Sequence, residues 1–383
     1  MLKIRNYYLE LFLLGSFFVT FLSLHMIRQG DASLNGDLLE NLAWGVGWQA
    51  GYFQHPPFFA WVTAIWFELF PRTHWAYFLL ASTNSCLALV LVYVIAKIYL
   101  TDAWALLATA VLMITPFYLF QAYKYNANIA LLAIWPFVFY RYLVFLERRN
   151  YSSAIYLGVA AAIAMLTKYY SIFLLASLLG HSITDSAVRS ISEKSLYVMI
   201  TVFLLAIGAH FHWLIETDFA VFSFVSERID IGRDNIDLFS RNLLLFALYP
   251  VVVILGPWLL IYICYKSNLF GQSTVSILTR LKLITQFEHC RALLWVCIGP
   301  FALTLLYVLS TQIIAHTTWL IPVGFSWGVV LILLLGSRPL GLSVPYVATM
   351  FTIIFALILV GSTMIEKREQ LPIQQALQIG QAV

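Results

Sequence analysis

Apolar runs of about twenty residues recur along the chain, and they dictate what it can fold into. They fall near Leu9–Ile27, Trp75–Ile98, Trp104–Phe120, Ile129–Leu146, Ala154–Leu166, Ile172–Ile183, Leu196–Leu214, Leu243–Tyr265, Leu293–Ser310, Trp319–Leu335 and Tyr346–Gly361. In hydrocarbon every backbone N–H and C=O needs a partner within the protein, so runs of this length are helices. A barrel would alternate apolar and polar residues instead. A charged fraction of only 10% excludes an ordinary soluble domain. We expect an all-α polytopic membrane protein with about eleven transmembrane helices. The pair Ala154–Leu166 and Ile172–Ile183 is short and joined only by Lys168-Tyr169-Tyr170, so a bent hairpin and partly inserted segments both stay open.

The +4 net charge is spread over the loops, with no basic run of the kind that binds nucleic acid. Cys86, Cys264, Cys290 and Cys297 stand at no metal-ligand spacing and read as core residues. Lys3 and Arg5 precede the first run, and no small-residue cleavage site follows it, which predicts an uncleaved anchor. With that end inside, Arg148-Arg149, Arg189, Lys194, Lys266, Arg280, Lys282, Arg291 and Arg338 are internal. Asp31, Asp37, Glu40, Glu68, Glu216, Asp218, Glu227, Asp230, Asp234 and Asp237 then all fall outside. The outer face is therefore the polar one, and a site is expected there. The spans hold few ionisable groups, Glu10 and Arg141 being exceptions near their ends.

The first outer loop, 28–74, holds the densest chemistry. Asn35 can cap a short helix on which Asp37, Glu40, Asn41 and Trp44 follow at i, i+3, i+4 and i+7, sharing one face. Two carboxylates on one face beside a membrane suit proton handling or cation binding, and equally a solvated helix. Pro57 to Pro71 is apolar and aromatic but too short to cross, which predicts a helix in the outer interface anchored by Trp61, Trp66 and Trp75. Lys168, between two short apolar segments, is costly unless it snorkels or meets an anion. His55 and His316 read as metal or phosphate contacts, or as packed histidines. The basic stretch Lys266–Arg291 is expected to rest on the inner surface.

Five motifs in order carry a family likeness. Asp37-x-x-Glu40 followed by Gly51-Tyr52-Phe53-Gln54-His55-Pro56-Pro57-x-x-Ala60-Trp61 resembles the first outer loop of GT-C membrane glycosyltransferases. The branch is that of the protein mannosyltransferases, the lipid A aminoarabinose transferases and bacterial family 39. Lys124-Tyr125-Asn126-Ala127-Asn128 resembles the second outer loop, and Leu166-Thr167-Lys168 the Leu-Thr-Lys of that group. His212-Trp213 through Phe219 and His316-Thr317-Thr318-Trp319 through Pro322 are similar to later outer segments. The Asn-Ala-Asn and His-Pro-Pro elements are most similar to rhizobial-type lipopolysaccharide galacturonosyltransferases.

The resemblance implies a GT-C catalytic unit over residues 1–362, with a short tail at 363–383. It implies sugar transfer, with inversion, from a polyprenyl-phosphate donor to a lipid or glycan acceptor such as lipid A or lipopolysaccharide core. The setting implied is the periplasmic side of a bacterial inner membrane. Asp37 is then the base with Glu40 beside it, and Lys168, His55, Lys124, Arg228 and Arg233 are the donor-phosphate contacts. Trp44, Tyr52, Tyr125, Asn126, Asn128 and His316 are the substrate contacts. Aminoarabinose transferases carry Glu-Lys-Pro-Pro where Gln54-His55-Pro56-Pro57 stands, and much of the family has an acid where Asn126 and Asn128 stand. Those amides weaken any divalent-metal site, so a metal is expected to be dispensable or weakly bound and no cofactor is certain. A flippase of lipid-linked sugars and a non-catalytic lipid-binding protein of the same fold are the competing readings.

Overall fold

A computed structural model describes residues 15–23, 26–27, 36–189, 191, 193–266, 277–335, 349–350, 353–358 and 360–361. The expectations at Lys3, Arg5, Glu10, Arg28, Asp31, Asn35, Arg338 and the 363–383 tail lie outside these residues, as do the side chains of Asp37, Cys264 and Lys266. So do parts of the first and last expected spans.

The described part of segment 28–74 folds into α1 (Gly36–Gly47) and α2 (Phe58–Leu69). Next come α3 (His74–Tyr99), α4 (Asp102–Met113), a π turn (Phe117–Gln121), α5 (Ala127–Arg148) and α6 (Tyr151–Thr167). A 3-10 turn (Tyr169–Ser171) leads into α7 (Ile172–Thr184), then α8 (Ser186–Arg189) and α9 (Glu193–Glu216). The rest is α10 (Val221–Asp234), α11 (Ile236–Lys266), α12 (Ile277–Ile284), α13 (Glu288–Thr311), two 3-10 turns (Thr317–Leu320, Val323–Ser326) and α14 (Trp327–Leu335). No strand occurs among the described residues.

Six of these segments are long and apolar enough to cross a bilayer: His74–Tyr99, Ala127–Arg148, Glu193–Glu216, Ile236–Leu259, Glu288–Thr311 and Thr317–Leu334. At 26 residues α3 reaches about 39 Å against a hydrocarbon core of about 30 Å. The chain is a multi-pass membrane protein. The expected span Trp104–Phe120 is not one helix. Pro116 has no N–H to give and biases Thr115 away from helical backbone, while the Thr115 hydroxyl bonds the Leu112 carbonyl at 2.7 Å. The chain then resumes in the π turn.

Helix α5 is the hub, packed on α3 and α6 and mostly buried, whereas α9 and α11 keep most of their apolar surface outward. Helices α6 and α7 go to different neighbours: α6 lies against α5 and α9, and α7 lies against α13. The pair is thus two helices diverging at Lys168 rather than a hairpin. Trp135, fully buried on α5, stacks on Tyr170 at 5.6 Å and donates to the Ser171 hydroxyl at 3.2 Å, which fixes the turn just after Lys168. At the other end of the bundle, Arg291 bonds Asp185 at 2.5 Å and Tyr142 meets His181 at 2.8 Å, tying α5 and α13 to the end of α7.

The helix expected after Pro57 is α2, about 18 Å long. Its tryptophans bond to backbone on either side. The Trp61 indole donates to the Gln49 carbonyl at 2.9 Å and the Trp66 indole to the Ala76 carbonyl at 2.8 Å, stapling α2 to its flanks.

Candidate active site

A cavity of about 540 Å³ opens at the end of the bundle where α6 stops. Four segments meet there: the loop before α2 gives Gln54 and His55, the first turn of α5 gives Asn128, the α6–α7 junction gives Lys168 and Tyr169, and α10 gives Phe222 and Arg228. The segment after α13 adds His316 and Trp319.

Each is aimed by local structure. Asn126 is the N-cap of α5, its side-chain oxygen accepting from the Asn128 N–H at 3.0 Å and the Ile129 N–H at 3.1 Å. That cap leaves Asn128 on the first turn, where its side-chain oxygen accepts a hydrogen bond from the Lys168 ammonium. Lys168 is the residue at which α6 ends, in extended backbone (φ −162°, ψ 133°), so its side chain leaves the helix for the cavity. Tyr52 and His55 close a tight turn through reciprocal backbone bonds of 3.0 and 3.3 Å. Gly51 lies against the Trp213 indole so closely that a Cβ would come within 2.2 Å of it. The His55 ring stands edge-on to Trp44 and Phe59, 5.9 and 5.7 Å away.

The electrostatics are one-sided. Lys168 and Arg228 bring two cations, and among the described residues no carboxylate lines the cavity. Burial, reinforced by the Arg228 guanidinium, lowers the Lys168 ammonium to about 8. Burial, then Lys168, pushes His55 down to about 3. Burial and Arg228 lower His316 as well, and Arg228 donates to its Nε2 at 2.7 Å, which requires a neutral ring. The cavity therefore presents cations and neutral imidazoles. That set suits a phosphate ester, and it poorly suits a hard divalent cation, which wants carboxylate oxygens. Among the described residues no three His, Cys, Asp or Glu side chains stand together as metal ligands.

Five sequence candidates thus converge on the cavity: His55, Asn128, Lys168, Arg228 and His316. Others sit elsewhere. The Tyr125 ring is buried in a satellite core, and its carbonyl accepts from Asn41 at 3.0 Å, so it serves packing rather than the lining. Tyr52 stacks on Trp44 at 5.1 Å and donates to the Trp44 carbonyl, so both support the His55 loop from behind. Lys124 lies over the Tyr123 ring at 5.3 Å. Arg233 is exposed on the last turn of α10, away from the lining. Glu40 is exposed on α1, and Asp37 lies on the same helix with its side chain outside the described residues. Asn41 and Trp44 turn inward while Glu40 does not, so the shared face of α1 is divided between core and solvent.

Sequence reading missed Gln54, Tyr169, Phe222 and Tyr307 as lining residues. Gln54 and Tyr169 each adjoin a residue that was singled out, a signal that was there to use. Nothing local distinguishes Tyr307 from other aromatics inside a span.

The backbone that carries this cavity has solved counterparts. The crystal structure of ArnT from Cupriavidus metallidurans bound to undecaprenyl phosphate superposes on it with a TM-score of 0.57, at 16% identity, over 84% of this chain and 58% of that one. The apo form of the same protein gives a TM-score of 0.51 at 16% identity, over 83% and 54%. The chain has the GT-C glycosyltransferase fold. Residues 54–213, less than half of the chain, match the family model described as dolichyl-phosphate-mannose-protein mannosyltransferase. That stretch begins at Gln54 and includes His55, Asn128 and Lys168, so the GT-C match covers much of the cavity lining. The chain spans a little over half the length of the ArnT chains it matches. No curated protein sequence matches it significantly.

Proposed function

We propose that the protein is an inverting membrane glycosyltransferase that moves a sugar from a polyprenyl-phosphate donor to an acceptor hydroxyl at the periplasmic face of a bacterial inner membrane. The acceptor class is an outer-face lipid or glycan such as lipid A or lipopolysaccharide core. The observation that carries this reading is the cavity in which Lys168 and Arg228 converge at one end of an apolar bundle, with no acid among its described lining residues. A half-buried lysine held by a neutral amide is matched by a ligand that brings negative charge.

The chemistry follows from that placement. The acceptor oxygen attacks the anomeric carbon from the face opposite the phosphate, and the new C–O bond forms as the C–O bond to phosphate breaks. The electron pair leaves on the phosphate, where Lys168 and Arg228 stabilise the growing charge. The acceptor proton passes to Asp37, the base of this scheme, with Glu40 one turn further along α1 as the second carboxylate. The test is incubation of purified protein with a radiolabelled polyprenyl-phosphate sugar and an outer-membrane lipid acceptor in vesicles. Label should move to the acceptor with release of polyprenyl phosphate. Translocation of label without transfer, or binding alone, overturns the reading.

A further inference from the structure

Tyr169 and His210 form a connection that the scheme above does not use. The Tyr169 hydroxyl lies 2.8 Å from Nε2 of His210, and Nδ1 of His210 lies 2.7 Å from the Ala50 carbonyl oxygen. A carbonyl oxygen only accepts, so Nδ1 carries the ring proton, and Nε2 accepts from the phenol. His210 is nearly buried on the inward side of α9, stacked on Trp213 at 5.7 Å. Trp213 in turn covers Gly51, the residue after Ala50. One imidazole therefore joins two cavity-forming segments that are otherwise separate in the chain. Through Tyr169 it holds the junction that presents Lys168, and through Ala50 it holds the loop that presents Gln54 and His55. The Tyr169 ring also stacks against Phe222 of α10, 6.3 Å away, on the cavity's third wall.

We infer that His210 is a positioning residue of the anion cavity, fixing Tyr169 and the Ala50–His55 loop at the spacing that lets Lys168 meet a lipid phosphate. The inference rests on the proposed polyprenyl-phosphate reading. Neither nitrogen of His210 is spare, so removing the ring releases both walls together. Tyr169→Phe releases only one of them and leaves the fold's packing in place.

The test is a double-mutant cycle read by undecaprenyl phosphate binding to the full chain in detergent, with thermal unfolding recorded in parallel. His210→Leu is expected to weaken binding about tenfold and Tyr169→Phe about threefold, with the double variant no weaker than His210→Leu alone, because both act through one connection. His210→Gln, whose amide offers both N–H donors and a carbonyl acceptor, should recover most of the loss. A wild-type Kd in Tyr169→Phe, or losses that simply multiply in the double variant, overturns the positioning role while leaving the anion cavity standing. A His210→Gln variant as weak as His210→Leu also overturns it. Failure of the unaltered protein to bind undecaprenyl phosphate removes the polyprenyl-phosphate reading itself.

Discussion

The Lys168 ammonium donates its hydrogen bond to the side-chain oxygen of Asn128, forty positions earlier, on the first turn of the helix that forms the hub of the bundle. An amide orients the lysine without neutralising it, so the positive charge stays available to a ligand. A carboxylate at the same place would form a closed ion pair and compete with phosphate. Asn128→Asp is therefore expected to raise the Kd for undecaprenyl phosphate about tenfold or more while stabilising the empty protein. Titration calorimetry and thermal unfolding of the same preparation check both signs. Tighter binding in the aspartate variant would show that Lys168 does not face the anion.

Lys168 also sets a pH dependence. Its ammonium is lowered from 10.5 to about 8 by burial and by Arg228. A depressed folded-state value means the charged form is disfavoured by folding, so its cost is present below pH 8 and vanishes as pH rises past 10.5. A bound phosphate removes that cost by favouring the ammonium. Affinity should hold steady from pH 7.5 to about 8, then fall about tenfold per unit above it. Thermal stabilisation by the ligand should accordingly be larger at pH 7.5 than at pH 9.5. His55, lowered to about 3, adds no titration step of its own near neutrality. The phosphate monoester is fully charged throughout the alkaline window, so the fall reports the protein. A flat profile to pH 10 would remove Lys168 from the binding event.

Much of the architecture was legible because hydrophobic length is a strong signal. The helix after Pro57 and the junction at Lys168 followed from run lengths and from one lysine set between apolar segments. The π turn after Pro116 was not, because a proline inside an apolar run reads equally as a tolerated kink. Asn126 and Asn128 show a second limit. The two amides are chemically alike and two positions apart, yet one caps a helix and the other holds a lysine. Only the backbone path at the start of α5 tells them apart. Asn126→Ala should cost about 1 kcal/mol of stability as a lost cap. Asn128→Ala should leave stability nearly unchanged and affect ligand affinity instead. Tyr125 was singled out on its aromatic character, which suits a core as well as a sugar.

Arg228 reaches His316 because α10 lies unusually close to the segment after α13. A Cβ on Gly232 would stand 1.9 Å from the Gln312 carbonyl oxygen, backbone that cannot swing aside. Gln312 is itself in the left-handed region, φ 61°, where α13 ends. Gly232→Ala must push α10 outward, opening the 2.7 Å contact between Arg228 and His316 and drawing one cation from the cavity. We expect at least a tenfold loss of undecaprenyl phosphate affinity. Gly256→Ala on α11 is the control, since an added Cβ there meets nothing within 4 Å. Equal behaviour of the two variants would show that α10 is free to move without disturbing the site.

Binding and chemistry separate at Asp37. The phosphate cradle is built from the loop before α2, from α5 and α10, and from the junctions after α6 and α13, whereas Asp37 belongs to α1. If Asp37 takes the acceptor proton, Asp37→Asn removes the base and leaves the cradle whole. Transfer from a labelled polyprenyl-phosphate sugar should then drop by a factor of about 100 or more, the scale of general-base catalysis, while undecaprenyl phosphate affinity stays within about twofold. Lys168→Met should do the reverse first, losing binding along with turnover. Glu40→Gln distinguishes the two carboxylates, because an exposed neighbour that only tunes the base changes the pH profile more than the maximal rate. Full turnover in Asp37→Asn combined with its loss in Glu40→Gln would move the base one turn along α1. Full turnover in both would place the proton acceptor outside this helix.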